Sequence, residues 1–571
     1  MSAAVTPLVV GVTGHRNLCA REVGPLRERV RDFFTQLQRE FPGLPLVVLD
    51  SLAAGGDQLV AEEALETGAR LIAPLPFARE LYVQDFRDAD RAAFESLCAR
   101  AEVLPLPLVP GNTDAEIARQ GPARDRQYAQ AGVFVASHCH ILLALWDGRE
   151  SDLLGGTGQV VRYHLDGTMP GWIERSHSHP VVLGSGDESL LYHLVCSRQG
   201  GDSESIPPTP LQPLQAHWIS QEHRRAAADG MPEEFRRMFT NMQQFNVDAM
   251  RHADDIQVPP ATHDATSGHP DCTALDSLFG VADRLAIHFQ VRVLRAMRGL
   301  YVLAALMGVA FVCYSDLPTD LPYVGDAIYV FVALFTAGVY LARLARRRAW
   351  HRKYIDYRAL AEGLRVQGYW RRAGVGADDP GAFAHDNFMQ KQDVELGWIR
   401  NVMRAAVIQA ASGSRRDGLA TVIAEWIGAA QGDGQLGYYA HKTEQRTRAH
   451  HHTQWLERAL LILVIAASLL LALFHQWLAP DTTTSLVALM GVLAIIAAAR
   501  ESYAYRKADK ELIKQYRYMG GIFASARRKL DDTRDPDAQR DVLRALGEAA
   551  LAEHAEWALM HRERPLEHGK L

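Results

Sequence analysis

The chain has 571 residues, 48% of them hydrophobic and 22% charged, with a formal net charge of -6; by length it divides into roughly three or four units rather than one core. The acidic balance excludes a general nucleic-acid binder, whose phosphate contacts need a basic excess. The cysteines, Cys19, Cys98, Cys139, Cys196, Cys272 and Cys313, show no CxxC or CxxH spacing, which argues against a zinc site and a disulfide framework and fits a reducing compartment.

The N-terminal MSAAVTPLVVGVTGHR has no basic stretch ahead of its short apolar run, so a first strand is expected there rather than a cleaved signal peptide. PLVVGVTGHR reads as a buried strand entering a glycine turn, and the apolar spacing from Leu26 to Phe41 predicts a helix. PLVVLDSLAAGGDQLVAEEAL repeats the plan as strand, loop and helix. ARLIAPLP, CHILLALWDG and SLLYHLVCSR are three more short apolar runs bounded by Gly, Pro or Asp. Strands alternating with helices predict an α/β Rossmann-like domain over 1–200, with a parallel sheet and a ligand cleft at the carboxyl ends of its strands. Polar tracts from Gln199 to Pro213 and from Asp254 to Cys272 mark 201–273 as a helical and linker extension.

Three loops have the composition of phosphate cradles: Gly11 to Arg16, Ala53 to Asp57 and Gly155 to Gly158. Backbone amides at a helix start attract anions, and glycine lets them approach without side-chain obstruction. The candidate ligand residues are Gly11, Thr13, Gly14, His15 and Arg16; Gly55, Gly56 and Asp57; Asp147 and Gly148; and Gly155, Gly156, Thr157 and Gly158. Arg16 offers a bidentate clamp for phosphate, and Asp57 or Asp147 an acceptor for ribose or base groups. The structural alternative for each glycine is a tight strand-to-helix turn. The histidines of SHCH, ERSHSHP and RAHHHTQW lack metal-ligand spacing, and Gly184-Ser185-Gly186 lacks the GxSxG elbow of a serine hydrolase.

The second half changes character. Uncharged, mostly apolar runs at 299–315, 327–342, 459–480 and 482–499 are each near the length of a bilayer-crossing helix. They predict an all-α membrane region with four transmembrane helices in two hairpins, one in a module over 274–411 and one over 412–571. The alternative is a set of buried core helices. Arg292, Arg295 and Arg298 precede the first hairpin and Arg343, Arg346, Arg347 and Arg348 follow it; Arg446, Arg448 and Arg458 precede the second, and Arg500, Arg506 and Lys507 follow. The acidic loop SDLPTDLPYVGD lies between the first two runs. By the positive-inside rule both termini face the cytoplasm. No run holds an internal charge that would mark a proton relay or voltage sensor. Asp316, Asp320 and Asp326 would stand at the outer mouth if several subunits built a pore. Each hairpin is followed by a charged helix with a Tyr-Arg pair, Tyr357-Arg358 and Tyr516-Arg517, and then by a tryptophan, Trp398 and Trp557, the pattern of a duplicated module.

GVTGHR, SLAAGGDQLVAEEAL, ALWDG and LLGGTG, between Val9 and Arg198, resemble the SLOG fold, the Rossmann-like domain of LOG phosphoribohydrolases, DNA-processing proteins and the ligand-sensing front of TRPM channels. The hairpins, their basic exits and the closing AEWALMHRERPLE are similar to SLATT modules, two-helix membrane effectors of bacterial conflict systems. The two resemblances imply a sensor of a nucleotide second messenger, either a cyclic nucleotide or an ADP-ribose- or NAD-like signal. They imply a homo-oligomeric effector in the inner membrane that forms a pore or disrupts the bilayer in anti-phage defence. No resident cofactor and no nucleic-acid partner are implied. The LOG hydrolase pattern PGGxGTxxE, laid on Leu154 to Arg162, finds no proline, Gln159 in place of threonine and Arg162 in place of the acid. A guanidinium cannot do the general acid-base work of a carboxylate. The expectation is therefore a binding site, with Arg162 a possible phosphate partner; a membrane-anchored nucleotide N-glycosidase of LOG type is the alternative.

Overall fold

A computed structural model describes residues 5–151, 153–173, 189–200, 203–205, 207–220, 225–227, 230–254, 273–317, 323–375, 388, 396–409, 418–429, 432–474, 476–507 and 509–562. Asp320, Gly184-Ser185-Gly186, the ERSHSHP histidines and the tract 255–272 lie outside the described residues. The chain divides into two compact units. One comprises Met1–Asp283, Ala359–Arg416 and Leu551–Ala555; the other comprises Arg284–Arg358, Asp417–Ala550 and Glu556–Leu571.

The first unit is built on a mostly parallel sheet. Its elements in order are β1 (Leu8–Gly14), α1 (Val23–Glu40), β2 (Leu46–Leu49), α2 (Gly56–Glu66), β3 (Arg70–Leu75), α3 (Arg79–Tyr82), α4 (Asp88–Arg100), β4 (Glu102–Pro105), α5 (Asp114–Ile117), α6 (Pro122–His138), β5 (Ile141–Trp146), α7 (Thr157–Asp166) and β6 (Leu190–Val195). A small ribbon, β7 (Arg198–Gly200) and β8 (Ser203–Ser205), leads to β9 (Ala216–Ser220) and β10 (Arg225–Ala227). The eight-stranded order is β10-β9-β6-β5-β1-β2-β3-β4. β1 to β6 pair in parallel, while β9 and β10 join antiparallel beyond β6. The sheet thus extends past residue 200, and it is not wholly parallel. Central strands such as β2 and β6 are buried at every position because helices cover both faces, which is why they read as continuous apolar runs.

Each helix follows from its own pattern. α1 buries Leu26, Val30, Phe33, Phe34 and Leu37 along one stripe, and Phe33 meets Tyr192 at 4.4 Å between ring centroids. α6 starts with Pro122 in its first turn, where a missing N–H costs nothing. α7 stops at Gly167, whose φ of 69° supplies the left-handed cap. On the face covered by α6 and α7, Leu142, Ala144, Val160, Val161 and Leu191 join one core cluster. Two further helices, α8 (Glu233–Arg251) and a helix at Gly397–Gln409, close the N-terminal edge of the sheet. Asn246 on α8 accepts from Thr6 N–H at 2.9 Å and donates to Thr6 O at 2.9 Å. His140 accepts from Val9 N–H at 3.1 Å and donates to Asn401 O at 2.8 Å, so this histidine of SHCH is a structural polar group satisfied at a strand entrance.

The second unit is helical. The long elements of this half are α9 (Thr273–Asp316), α10 (Ala327–Arg347), α11 (Trp350–Ala373), α12 (Gly397–Gln409, the edge helix above), α13 (Leu419–Val422), α14 (Gln435–Phe474), α15 (Pro480–Lys507), α16 (Asp509–Asp532) and α17 (Pro536–Arg562). Four of these, α9, α10, α14 and α15, carry stretches long and apolar enough to cross a membrane. Their apolar side chains point outward: Ile462 is 65% and Leu473 74% exposed. A core helix in water would bury those residues. The third expected span, 459–480, stops at Phe474, because the chain turns before Pro480 starts α15. The exposed aromatics Tyr329 and Trp477 stand near helix ends, and Trp455 stands just before the apolar run of α14, positions where amphipathic rings suit a membrane boundary.

Within this unit α9 runs antiparallel to α15. Arg298 Nε lies 3.3 Å from the Tyr503 hydroxyl, and the Tyr301 hydroxyl donates to Ser502 O at 3.2 Å. Further along, a Cβ on Gly308 would come within 2.8 Å of Ile495, and one on Gly491 within 3.3 Å of Val312. Small residues permit this close approach, as they do between helices in lipid.

Candidate functional site

The parallel strands run outward from β1 in opposite directions. β2, β3 and β4 lie to one side, β5 and β6 to the other. In such a sheet a crevice opens above the carboxyl ends of the two strands where the order reverses, β1 and β5. Gly14, His15 and Arg16 leave β1 there; Asp147 and Gly148 leave β5.

Three glycines hold the first two loops together. Gly56 N–H donates to His15 O at 2.9 Å. A Cβ on Gly14 would lie 2.9 Å from Gly56 Cα, and a Cβ on Gly56 the same distance from Gly14 Cα. Gly55 has φ of 86°, and a Cβ there would fall 2.2 Å from Arg16 O. No real side chain tolerates backbone so near. The suture sets the start of α2, and hence Asp57, beside Gly14 and Arg16.

Charge at the crevice is arranged unevenly. Asp57 is buried, and its Oδ1 has no hydrogen-bond partner among the described residues. Burial pushes its carboxyl up to about 7, against the opposing pull of the Arg16 charge and of the Ala53 and Gly14 N–H groups. Behind it Asp50, fully buried at the end of β2, accepts from Leu52 N–H at 2.7 Å. Burial and the Asp57 charge hold Asp50 well above the usual carboxylate range. Asp147 differs: its Oδ1 lies 3.1 Å from His15 Nε2 and accepts from Arg149 N–H at 3.1 Å. Burial opposes its charge, but those contacts with His15 and Arg149 keep it below its ordinary value.

Arg16 is exposed, with its guanidinium carbon 5.5 Å from the centre of the Tyr128 ring. Tyr128 belongs to α6 and donates to Asp85, which also accepts from Arg124 at 2.7 Å. Burial, then the Asp85 contact, push the Tyr128 phenol up to about 12, so it is a neutral donor and ring platform. The third glycine loop reaches the same helix. Gly155, with φ of 75°, packs so closely that a Cβ would be 2.8 Å from Ala129 N and 3.1 Å from Tyr128 C. Arg16 thus lies against the ring of Tyr128, and the Gly155 loop against the α6 backbone at Tyr128 and Ala129. Gly156 caps α7, leaving the N–H groups of Thr157 and Gly158 in the first turn without intrahelical acceptors.

Gly14, His15, Arg16, Gly55, Gly56, Asp57, Asp147, Gly155, Gly156, Thr157 and Gly158 thus border the carboxyl edge of the sheet. Gly11 does not reach it: it lies inside β1, where a Cβ would be 2.8 Å from Cys139 Cβ, so its requirement is strand-to-helix packing. Thr13 is likewise a buried strand residue. Gly148, at φ of 82°, makes room for Leu211. Arg162 is exposed on α7. The sequence did not single out Asp50, Tyr82, Asp85, Arg124 or Tyr128. A polar residue directly following an apolar strand is the signal that Asp50 offered; the others come from α3, α6 and the turn between α3 and α4, and only the fold gathers them. No protein-family model matches the chain, and no curated protein matches it.

Proposed function

We propose that the first unit captures a nucleotide signal, a cyclic nucleotide or an ADP-ribose- or NAD-like molecule, at the β1–β5 crevice, and that the chain is the membrane effector this signal controls. The observation that carries the reading is that Arg16, against the Tyr128 ring, and the glycine loop that opens α7, against the α6 backbone at Tyr128 and Ala129, both border α6 at the carboxyl edge of the sheet. One cation and a helix start with free amides make a phosphate receptor, and the same polypeptide holds four helices apolar and long enough to span a bilayer. The resemblance to SLOG and SLATT modules supports the same combination, with a bacterial inner membrane, cytoplasmic termini and anti-phage defence as its setting. A ligand acts on the membrane part only through its differential affinity for two states, and α9, which leads from the first unit into the first apolar stretch, is the proposed relay. A homo-oligomer would be needed to line a pore with these uncharged helices, its outer mouth bordered by Asp316 and Asp326.

Binding is favoured over hydrolysis because Arg162 occupies the position of the LOG acid and is exposed on α7. The test is a thermal-shift screen of the detergent-solubilised chain against cyclic and linear nucleotides, ADP-ribose and NAD, followed by conductance of reconstituted bilayers with any binder. Stabilisation by one class, its loss in Arg16→Ala and ligand-dependent conductance are expected. Turnover of the bound nucleotide, or binding unchanged in Arg16→Ala, overturns the reading.

A further inference from the structure

The crevice offers two carboxylates to a ligand, and of the two only Asp57 has a buried oxygen without a hydrogen-bond partner among the described residues. Asp147 is engaged by His15 and by Arg149 N–H. Asp57 is 7% exposed, and its Oδ1 meets no donor among the described residues. A buried polar atom without a partner is uncommon enough to need a reason. Among the described residues no group of three His, Cys, Asp or Glu is placed to hold a metal ion. A ligand's phosphate does not satisfy this atom, because its oxygens only accept and carry the same sign of charge.

We infer that the crevice reads a ribose hydroxyl lying next to the ligand's phosphate, with Asp57 Oδ1 as the group that bonds it. This rests on the nucleotide reading above and narrows it to ribonucleotides. A hydroxyl donates and accepts, so it suits a carboxyl that shares its site with a second buried carboxyl, Asp50, in either protonation state. The position is right for it. The glycine suture sets Asp57 beside Gly14 at the strand end, and Arg16, the cation acting on Asp57, is the same side chain that lies over Tyr128. A phosphate drawing Arg16 toward the start of α7 uncovers Asp57 for the neighbouring sugar. Arg16 is exposed and long enough to make that move, whereas Asp57 is fixed in the first turn of α2.

The experiment measures affinities of the detergent-solubilised full chain by calorimetry for AMP, GMP, CMP, UMP and ADP-ribose, their 2′-deoxy and 3′-deoxy counterparts, and inorganic phosphate. A hydrogen bond to a charged acceptor makes a ribonucleotide bind about ten- to a hundred-fold tighter than one of its deoxy forms, and Asp57→Ala removes that difference while leaving phosphate binding in place. The wild-type comparison stands even if Asp57→Ala fails to fold. Equal binding of ribo and both deoxy forms to the wild type overturns the assignment of Asp57 and leaves the phosphate receptor intact. A ribose preference that survives in Asp57→Ala also overturns it. Failure of every probe, phosphate included, overturns the nucleotide reading itself.

Discussion

Replacing Gly55 with alanine is expected to break the suture between the first two loops. Gly55 has φ of 86° and ψ of -114°, a region nearly closed to other residues, and occupying it costs about 1–3 kcal/mol. The added Cβ would also sit 2.2 Å from Arg16 O and 2.6 Å from His15 O. Those are backbone atoms, so the loops must part, and the Gly56 N–H to His15 O bond, about 1 kcal/mol, goes with them. The total is about 3 kcal/mol or more. Gly68 is the matched control: its φ is 83°, but nothing lies within 4 Å of its Cβ position, so Gly68→Ala carries only the conformational cost of about 1 kcal/mol. At about 2 °C per kcal/mol for a unit of this size, thermal unfolding followed by tryptophan fluorescence shifts by about 6 °C for Gly55→Ala and about 2 °C for Gly68→Ala. Hydrogen exchange should accelerate around residues 14–17 and 53–58 in the first variant alone. If both variants lose the same stability, the close approach of the loops is wrong, and with it the placement of Asp57.

Acid should destabilise the first unit. Burial pushes His138, His140, His164 and His193 down to about 4, 3, 4 and 4; unfolded histidine protonates near 6.5, so the stability they contribute is present above that pH and is lost as pH falls toward 4. Asp57, pushed up to about 7 by burial, works in the opposite sense from about pH 4 to about 7, and Asp50, held above the usual carboxylate range by burial and the Asp57 charge, works in that same sense. Four groups outweigh two, giving at most about 2.7 kcal/mol per pH unit between about 6.5 and 4; native-state hydrogen exchange at β5 and β6 amides that is flat across this window would refute the assignment. In the second unit, Gly308→Leu or Gly491→Leu should separate α9 from α15, read as reduced cross-linking of Tyr301→Cys to Ser502→Cys by a bifunctional maleimide, whose span replaces the tyrosine ring that reaches Ser502 O; undiminished cross-linking counts against the packing. For topology, cysteines placed at Tyr323 and Arg348 should react with an impermeant maleimide from opposite sides of the membrane, and labelling from one side alone would contradict a spanning α10.

The apolar strands were legible because burial on both faces leaves an uninterrupted hydrophobic signature, as in LVVGVTG and ILLALW. The four long helices were legible because each carries an extended apolar run, long enough to cross a membrane. β9 and β10 were not. They lie at the sheet's edge, where AHWIS and RAA need not be apolar throughout, and a polar tract precedes them. Glycine spacing pointed to loops that the fold brings to the carboxyl edge of the sheet but not to the reason for each glycine: Gly11 and Gly148 serve packing, whereas Gly14, Gly55 and Gly56 permit a backbone contact. Tyr128 and Arg124 were invisible because nothing in PARDRQYAQAGVFVASH distinguishes side chains that turn toward Asp85 and Arg16, far earlier in the chain, from ones that face water.

The seam between α9 and α15 makes the two halves of the membrane region interdependent. It ties the opening helix of one hairpin to the closing helix of the other, in the manner of woven rather than stacked straps. A tilt imposed on α9 cannot be absorbed by its own hairpin alone; the Tyr301 and Gly308 contacts hand it to α15, so both pairs would lean as one body.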